Sequence, residues 1–475
     1  MSLVLNSKGF GILKSSLTDA QTKELISALT VRPNVNPTYD FGSVEEYPIY
    51  RFNKTRYYVP KFYGLKYYNH LDLESMEVNE RAGIPIDDDK LLFNGTLRED
   101  QVSNIDDILK TILEKGACIS NAPTGGGKTV SALYILSKLK RKTLIIVHKQ
   151  FLMDQWFERI NQYLPHIGHI GRIQGDLVDI SGEIVLCMLQ SLSMKEYPVD
   201  LFDCFGFVII DEVHHICAKT FSKALFKIAS KYMLGLSATI KRLDGLEKVI
   251  HWFLGQSIVK KTVDMSLDKP LVKFIDAIYS NPIKLKYNRG PTGRMVLNIP
   301  DLITNIALDS ARNDLIVKEI IKQSILGRNV LMLSERRDQC LIIKDLLERD
   351  LEFIGRGLTS GLYIGQMKQE ELSISNNCSV ILGTFQLVSE GFDNPRLDTV
   401  ILATSKSNVI QSIGRVMRRK NVFRPLIIDI VDKQYLIGQY RARLKLYTDK
   451  EYEISEQVKE EVPPKKRVLT ISMFD

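Results

Sequence analysis

Two long stretches of this chain repeat one rhythm: a short, continuous apolar run, then a segment with helical spacing of its apolar positions. In the first stretch the runs are Ala117–Ser120, Thr143–His148, Glu183–Leu189, Phe205–Ile210 and Met233–Leu236. In the second they are Asn329–Ser334, Ser379–Thr384, Asp398–Thr404 and Pro425–Asp432. Unbroken apolar runs of this length fit strands buried on both faces, and helices between them fit the crossovers of βαβ units. The pattern predicts an α/β chain with two parallel-sheet domains in tandem, over residues 91–262 and 263–445. Asn281–Pro300, with three prolines and two glycines, breaks the rhythm and reads as an insertion near the start of the second domain. Residues 446–475 read as a C-terminal helix and a charged tail, in which Pro463–Val468 has the look of a basic nuclear-import peptide.

Residues 1–90 lack the rhythm and read as an accessory domain with a linker. Residues 47–68 hold nine aromatics (Tyr47, Tyr50, Phe52, Tyr57, Tyr58, Phe62, Tyr63, Tyr67, Tyr68) among Arg51, Lys54, Arg56, Lys61 and Lys66, and no acid. Two readings stay open: a small β-rich domain whose aromatics form its core, or rings that stack bases beside cations that hold phosphates. Residues 71–90 are acidic, with Asp72, Glu74, Glu77, Glu80 and Asp87 to Asp89, and read as a solvated linker.

Length and composition narrow the classes. The chain of 475 residues exceeds what one core organises. The six cysteines are scattered, with no C-x-x-C pair, which argues against structural zinc and for a reducing compartment. No apolar run is long enough to span a bilayer, so no membrane partner is expected. The formal charge of +8 suits a polyanion partner without requiring one.

Three clusters carry candidate chemistry. Ala122-Pro-Thr124-Gly125-Gly126-Gly127-Lys128-Thr129 follows one predicted strand and opens a helical run. Glycines let backbone N–H groups approach phosphate oxygens, and the helix offers its positive end to the anion. Lys128 would reach the β- and γ-phosphates of ATP, and Thr129 would offer a hydroxyl to Mg²⁺. Phe205–Ile210 ends in Asp211-Glu212-Val213-His214. Adjacent acids at the end of a buried strand need a counter-charge. Asp211 would hold the Mg²⁺, and Glu212 would orient and deprotonate the attacking water. Finally, Gln411, Arg415 and Arg418 share one side of a helix by their spacing of four and three. Arginines brought from a second domain would meet the negative charge that develops on the γ-phosphate.

With these residues quoted, the chain resembles the superfamily-two helicases and translocases of the XPB/UvsW-like group. The family motifs fall in order across roughly residues 97–420. The resemblance implies two RecA-like domains, with ATP and Mg²⁺ as cofactors. It implies that Arg98 and Gln101 of Leu97-Arg98-Glu-Asp-Gln101 form the adenine side, Gln101 reading the base edge. It implies that His214 with Ser237 and Thr239 of Ser237-Ala238-Thr239 couples hydrolysis to strand movement; the family has proline next, where this chain has Ile240. Glu390-Gly391-Phe392-Asp393 would complete the nucleotide site, as would Gln411-Ser-Ile-Gly414-Arg415-Val-Met-Arg418. Strand contacts would come from His148 and Lys149, Gln190 and Ser191, Gly365 and Thr384. Leu29–Pro33, Tyr47–Arg51 and Tyr58–Gly64 resemble the N-terminal region of helicases from large cytoplasmic DNA viruses, whose poxvirus-type members release transcripts.

The expected function is therefore ATP-driven movement on DNA, single-stranded, duplex or forked, with 3′–5′ polarity implied by the resemblance. Transcript release, recombination and repair are the settings it suggests. An RNA-stimulated helicase, or an ATP-switched DNA clamp inside a transcription complex, stands as the alternative. RNA or an RNA–DNA hybrid, RNA polymerase and other transcription proteins are the further candidate partners. The chain is expected to act as a monomer in the cytoplasm, in a viral factory or virion, with the nucleus second. A fused nuclease is disfavoured: Asp429 and Asp432 lack an accompanying lysine pattern.

Overall fold

The computed structural model describes residues 3–34, 45–68, 73, 76–122, 126–198, 200–238, 240, 242, 244–259, 269–289, 294–392, 394–414 and 423–455. Two mainly parallel sheets account for the two rhythmic stretches, and a small five-stranded sheet precedes them.

In the first lobe the strand order is Leu177–Asp179, Ile170–Gln174, Ile184–Met188, Thr143–Val147, Phe207–Ile210, Tyr232–Ser237, Ala117–Asn121 and Ser257–Val259. All pairs are parallel except the hairpin at the Leu177–Asp179 edge. Alternate residues of one strand feed opposite layers: Leu144 and Ile146 join one buried cluster, Ile145 and Val147 the other. Burial on both faces is why these strands read as continuous apolar runs. Each such aliphatic side chain stabilises the fold by roughly 1.5–3 kcal/mol.

The chain leaves the Ala117–Asn121 strand, crosses to Thr143–Val147, and later fills the gap with Phe207–Ile210 and Tyr232–Ser237. Register aligns the carboxyl ends: Asn121 pairs with Ser237, and Ile210 with Gly235 and Ile146. Candidate residues that follow these strands are thereby gathered along one edge, where open α/β sheets bind ligands.

The second lobe is an all-parallel sheet ordered Ser360–Tyr363, Val380–Thr384, Val330–Ser334, Thr399–Leu402, Leu426–Val431, Leu271–Asp276 and Glu453–Ile454. Asn281–Pro300 contains a hairpin, Tyr287–Arg289 with Met295–Leu297. Two ion pairs are buried beneath the sheet's carboxyl end, Arg312–Asp432 and Arg443–Asp429, with all four side chains at 0% exposure. Breaking such a pair by removing one partner costs about 3–5 kcal/mol. Asp432 also accepts from Tyr279 Oη and Ser405 Oγ, and Arg443 donates to the Lys406 carbonyl. These contacts pin the loop that launches the helix Ile410–Ile413. They also give both acids structural partners.

The acidic segment departs from expectation. It is not a solvated linker where it is described. Glu77–Val78 adds a parallel strand to the N-terminal sheet, and Arg81 and Ile84 donate backbone N–H groups to Ala229 and Cys204 of the first lobe. Ile86 is buried in that lobe's core. Gly83 (φ +70°) makes this approach feasible, since a Cβ there would meet the Gly206 backbone. Asp87, Asp88 and Asp89 are exposed, Glu80 pairs with Lys61 at 2.6 Å, and Ile86 is the apolar side chain that docks.

Of the nine N-terminal aromatics, Tyr47, Tyr58, Tyr63 and Tyr68 are buried, whereas Phe52 and Tyr67 are exposed. Tyr63 and Tyr68 fit the core reading, being in the N-terminal domain's own core, whereas Tyr47 is buried in the core of the first lobe. Tyr63 packs edge-on against Trp252 of the first lobe at 5.4 Å, and Phe62 packs where Gly255 leaves room. The proposed import peptide and the end of the tail lie outside the described residues.

Candidate functional site

Gly127, at φ 74°, ψ 27°, caps the helix Lys128–Leu139. Only glycine takes this left-handed conformation freely, and a Cβ there would come within 2.2 Å of Gln101 Nε2. Gln101 is buried; its Nε2 donates to the Gly127 carbonyl and to Ser131 Oγ, each at 3.4 Å. Its Oε1 accepts from the Arg98 N–H at 3.0 Å. Gln101 and Arg98 thus sit against the loop's exit, far closer to the helix N-terminus than sequence separation suggests. Lys128 Nζ donates to the Ala122 carbonyl at 3.0 Å. Thr129 lies in the first turn. Thr124 and Gly125 lie outside the described residues.

Across one intervening strand, Tyr232–Ser237, Asp211 Oδ2 accepts from Trp156 Nε1 at 2.9 Å, and Oδ1 accepts from the Glu212 N–H at 3.0 Å. Burial, and then the charge of Glu212, push the Asp211 carboxyl above its usual range, while Trp156 and Lys128 pull the other way. A carboxylate so placed favours a cation. Glu212 takes φ 48°, ψ 55°, a left-handed conformation that costs a non-glycine residue on the order of 1 kcal/mol. Strain of that size persists where the surroundings over-determine it.

His214 joins the next strand end. Its Nδ1 is 3.2 Å from Ser237 Oγ and 3.4 Å from Glu212 Oε2. Burial first, then Arg242 and Lys128, lower its pKa to about 4, so the ring is neutral at pH 7. Arg242 donates to the His214 carbonyl and is itself held by Asp244. Thr239 lies outside the described residues, and Ile240 is buried.

A second feature opens between the lobes. The second-lobe helix Phe385–Gly391 packs on the first-lobe helix Gln150–Tyr163. Beside them a cleft of about 630 Å³ is lined from one side by Lys149 and Phe151, and from the other by Ser334 to Arg337, Gly365, Thr384 and Lys406 among others. Lys149, Arg336, Arg337 and Lys406 give it four cations against one acid, Glu335. Thr384 ends its strand in register with Ser334.

The remaining candidates divide. Gln190 Nε2 donates to the His148 carbonyl at 2.7 Å, beside Lys149, and Ser191 Oγ accepts from the Gly175 N–H at 2.9 Å, so both brace the first lobe. The His148 side chain is a correction: at 5% exposure it turns inward and stacks on His215, so it offers no surface to a strand. Gly391 closes its helix and Gln411 lies in the helix Ile410–Ile413. Asp393, Arg415 and Arg418 lie outside the described residues.

Sequence reasoning missed Trp156, His215 and Arg242, whose partners are distant in sequence. It also missed Arg336, Arg337 and Lys406. The paired arginines directly after the Val330–Ser334 strand were the available signal, since strand carboxyl ends collect ligands.

Residues 94–242 match the family model described as "Type III restriction enzyme, res subunit". The chain is 36% identical over 468 residues to the candidate ATP-dependent RNA helicase L396 of Acanthamoeba polyphaga mimivirus, covering 95% of this chain and 87% of that one. It is 29% identical over 377 residues to the candidate helicase 161L of Invertebrate iridescent virus 6, covering 75% and 81%. Among solved structures, T4 UvsW aligns over 96% of this chain and 99% of its own, with a TM-score of 0.38 and 18% identity.

Proposed function

We propose a function from one premise: the chain belongs to the ATP-hydrolysing helicases of superfamily two, of the type found in large DNA viruses. Members use a nucleotide and bind nucleic acid. Beyond that, the reading is a DNA translocase whose two lobes share one ATP site and grip one strand.

In this reading Gly126, Gly127 and Lys128 take the phosphates, and Gln101 with Arg98 takes the adenine side. Thr129 and Asp211 suit a divalent cation: a hydroxyl and a half-buried carboxylate stand where the helix N-terminus draws a phosphate. Bound Mg²⁺ would supply charge neutralisation at the β- and γ-phosphates. Glu212 takes the proton of the attacking water, and His214 with Ser237 holds Glu212 in place. Gln411, Arg415 and Arg418 would act from the second lobe when the lobes close, and Gly391 and Asp393 would complete the nucleotide site.

The observation that supports this most is the interlobe cleft, where Lys149 of the first lobe meets Gly365 and Thr384 of the second. Four cations suit phosphates, and contacts of this kind give affinity with little sequence preference. A strand held there touches both lobes at once, so lobe movement becomes movement along it. The adenine-side motif Leu97–Gln101 favours DNA; the name of the mimivirus relative carries the RNA alternative.

ATP turnover measured with single-stranded DNA, duplex DNA, RNA and RNA–DNA hybrid decides between them. Single-stranded or forked DNA is expected to stimulate turnover about tenfold or more, within the usual range of coupling between two sites. A marked preference for RNA would overturn the DNA assignment. No stimulation by any polynucleotide would overturn the motor.

A further inference from the structure

Beside the cleft lie two imidazoles to which the proposed chemistry gives no role, His148 buried and His215 half-buried. His148 and His215 stack face to face, with ring centroids 3.8 Å apart and planes 29° apart. His215 and His214 are 4.4 Å apart, so three rings run in series. Among the described residues neither ring nitrogen of His148 has a hydrogen-bond partner, although the residue is 5% exposed. Buried polar atoms in that state are uncommon and need a reason. Here the consequence is plain: the face of His215, not a hydrogen bond, sets the orientation of this ring. Burial, then the neighbouring charges, holds both groups far down, at about 3, so the stack stays neutral at physiological pH.

The series has two ends. At one, the His148 carbonyl accepts from Gln190 Nε2 at 2.7 Å, and the next residue is the cleft-lining Lys149. At the other, His214 Nδ1 lies 3.2 Å from Ser237 Oγ and 3.4 Å from Glu212 Oε2. A shift of the backbone at Lys149 must move His148. A close-packed ring cannot move without displacing the ring on its face.

We propose that the His148–His215 stack is the contact through which a strand docked at Lys149 sets the position of His214, and through it Glu212. His148 and His215 are then positioning residues, touching neither ATP nor strand. The inference rests on the strand-stimulated turnover proposed above and adds where the stimulation is carried. Flatness, rather than the ring nitrogens, is what the contact requires.

The test compares wild type, His148→Phe and His148→Leu for ATP turnover with and without single-stranded DNA, for KM towards ATP, and for Tm. Both substitutions fill the space, but only phenylalanine presents a flat face. The phenylalanine variant is expected to keep its stimulation within about twofold of wild type, and the leucine variant to lose about tenfold, the scale of a full site-to-site coupling. KM for ATP and Tm stay near wild type in both, which separates positioning from a general loosening of the lobe. Full stimulation in the leucine variant, or equal loss in both variants, would overturn the inference. A wild type that no strand stimulates would overturn the motor reading itself, and the inference with it.

Discussion

Glu212→Gln is expected to lower ATP turnover by about 10²–10⁴-fold, the usual contribution of a positioned general base, while leaving ATP binding intact. The amide keeps the size and shape of the side chain but cannot take a proton. The residue sits at φ 48° between Asp211 and Val213, and its carboxylate is 3.4 Å from His214 Nδ1. That geometry aims it rather than letting it drift, so loss of the charge acts on the chemical step. Phosphate release under saturating ATP and strand, paired with equilibrium titration of the nucleotide, separates the two effects. Turnover near that of wild type would remove Glu212 from the role of base.

The second large effect is expected at Arg418→Ala. An arginine supplied across a domain boundary contributes roughly 10³–10⁵ in phosphoryl-transfer rate, equivalent to about 4–7 kcal/mol at 1.36 kcal/mol per tenfold. In the proposed site the first lobe offers Lys128 as its cation on the phosphates, so the charge developing in the transition state would have to be met from elsewhere. The segment bearing Arg415 and Arg418 follows the helix Ile410–Ile413, whose approach is fixed by the buried Arg312–Asp432 and Arg443–Asp429 pairs. Single-turnover hydrolysis should fall by the stated factor, with nucleotide affinity changed little. Weakened binding with normal turnover would place Arg418 outside the site.

The two sheets were legible because strands buried on both faces leave unbroken apolar runs, as Thr143–Val147 and Val330–Ser334 do. Strands that carry polar or glycine positions escaped notice. Ile170-Gly-Arg-Ile-Gln174 sits near one edge of its sheet, and Ser360-Gly-Leu-Tyr363 forms an edge of the other. The acidic segment misled because its charges dominate its composition, while its docking depends on Ile86, Gly83 and backbone hydrogen bonds.

The placement of Lys128 at the start of a helix and of Asp211 and Glu212 after a strand was readable because local spacing carries it. His148 was misjudged for the opposite reason: a residue after a strand can turn outward or inward, and only the presence of His215 across the loop decides. Trp156 on Asp211 and Arg242 on His214 are contacts of tertiary packing, and no local pattern announces them.

The central claim is that one ATP molecule and one strand together draw the lobes shut. Fluorescent labels at Met194 in the first lobe and Leu351 in the second, both well exposed, would report the separation of the lobes directly. In the Glu212→Gln background, ATP with single-stranded DNA is predicted to shift the population to a single compact separation. ADP should return it to the distribution of the free protein. A separation that ignores both nucleotide and strand would contradict the account.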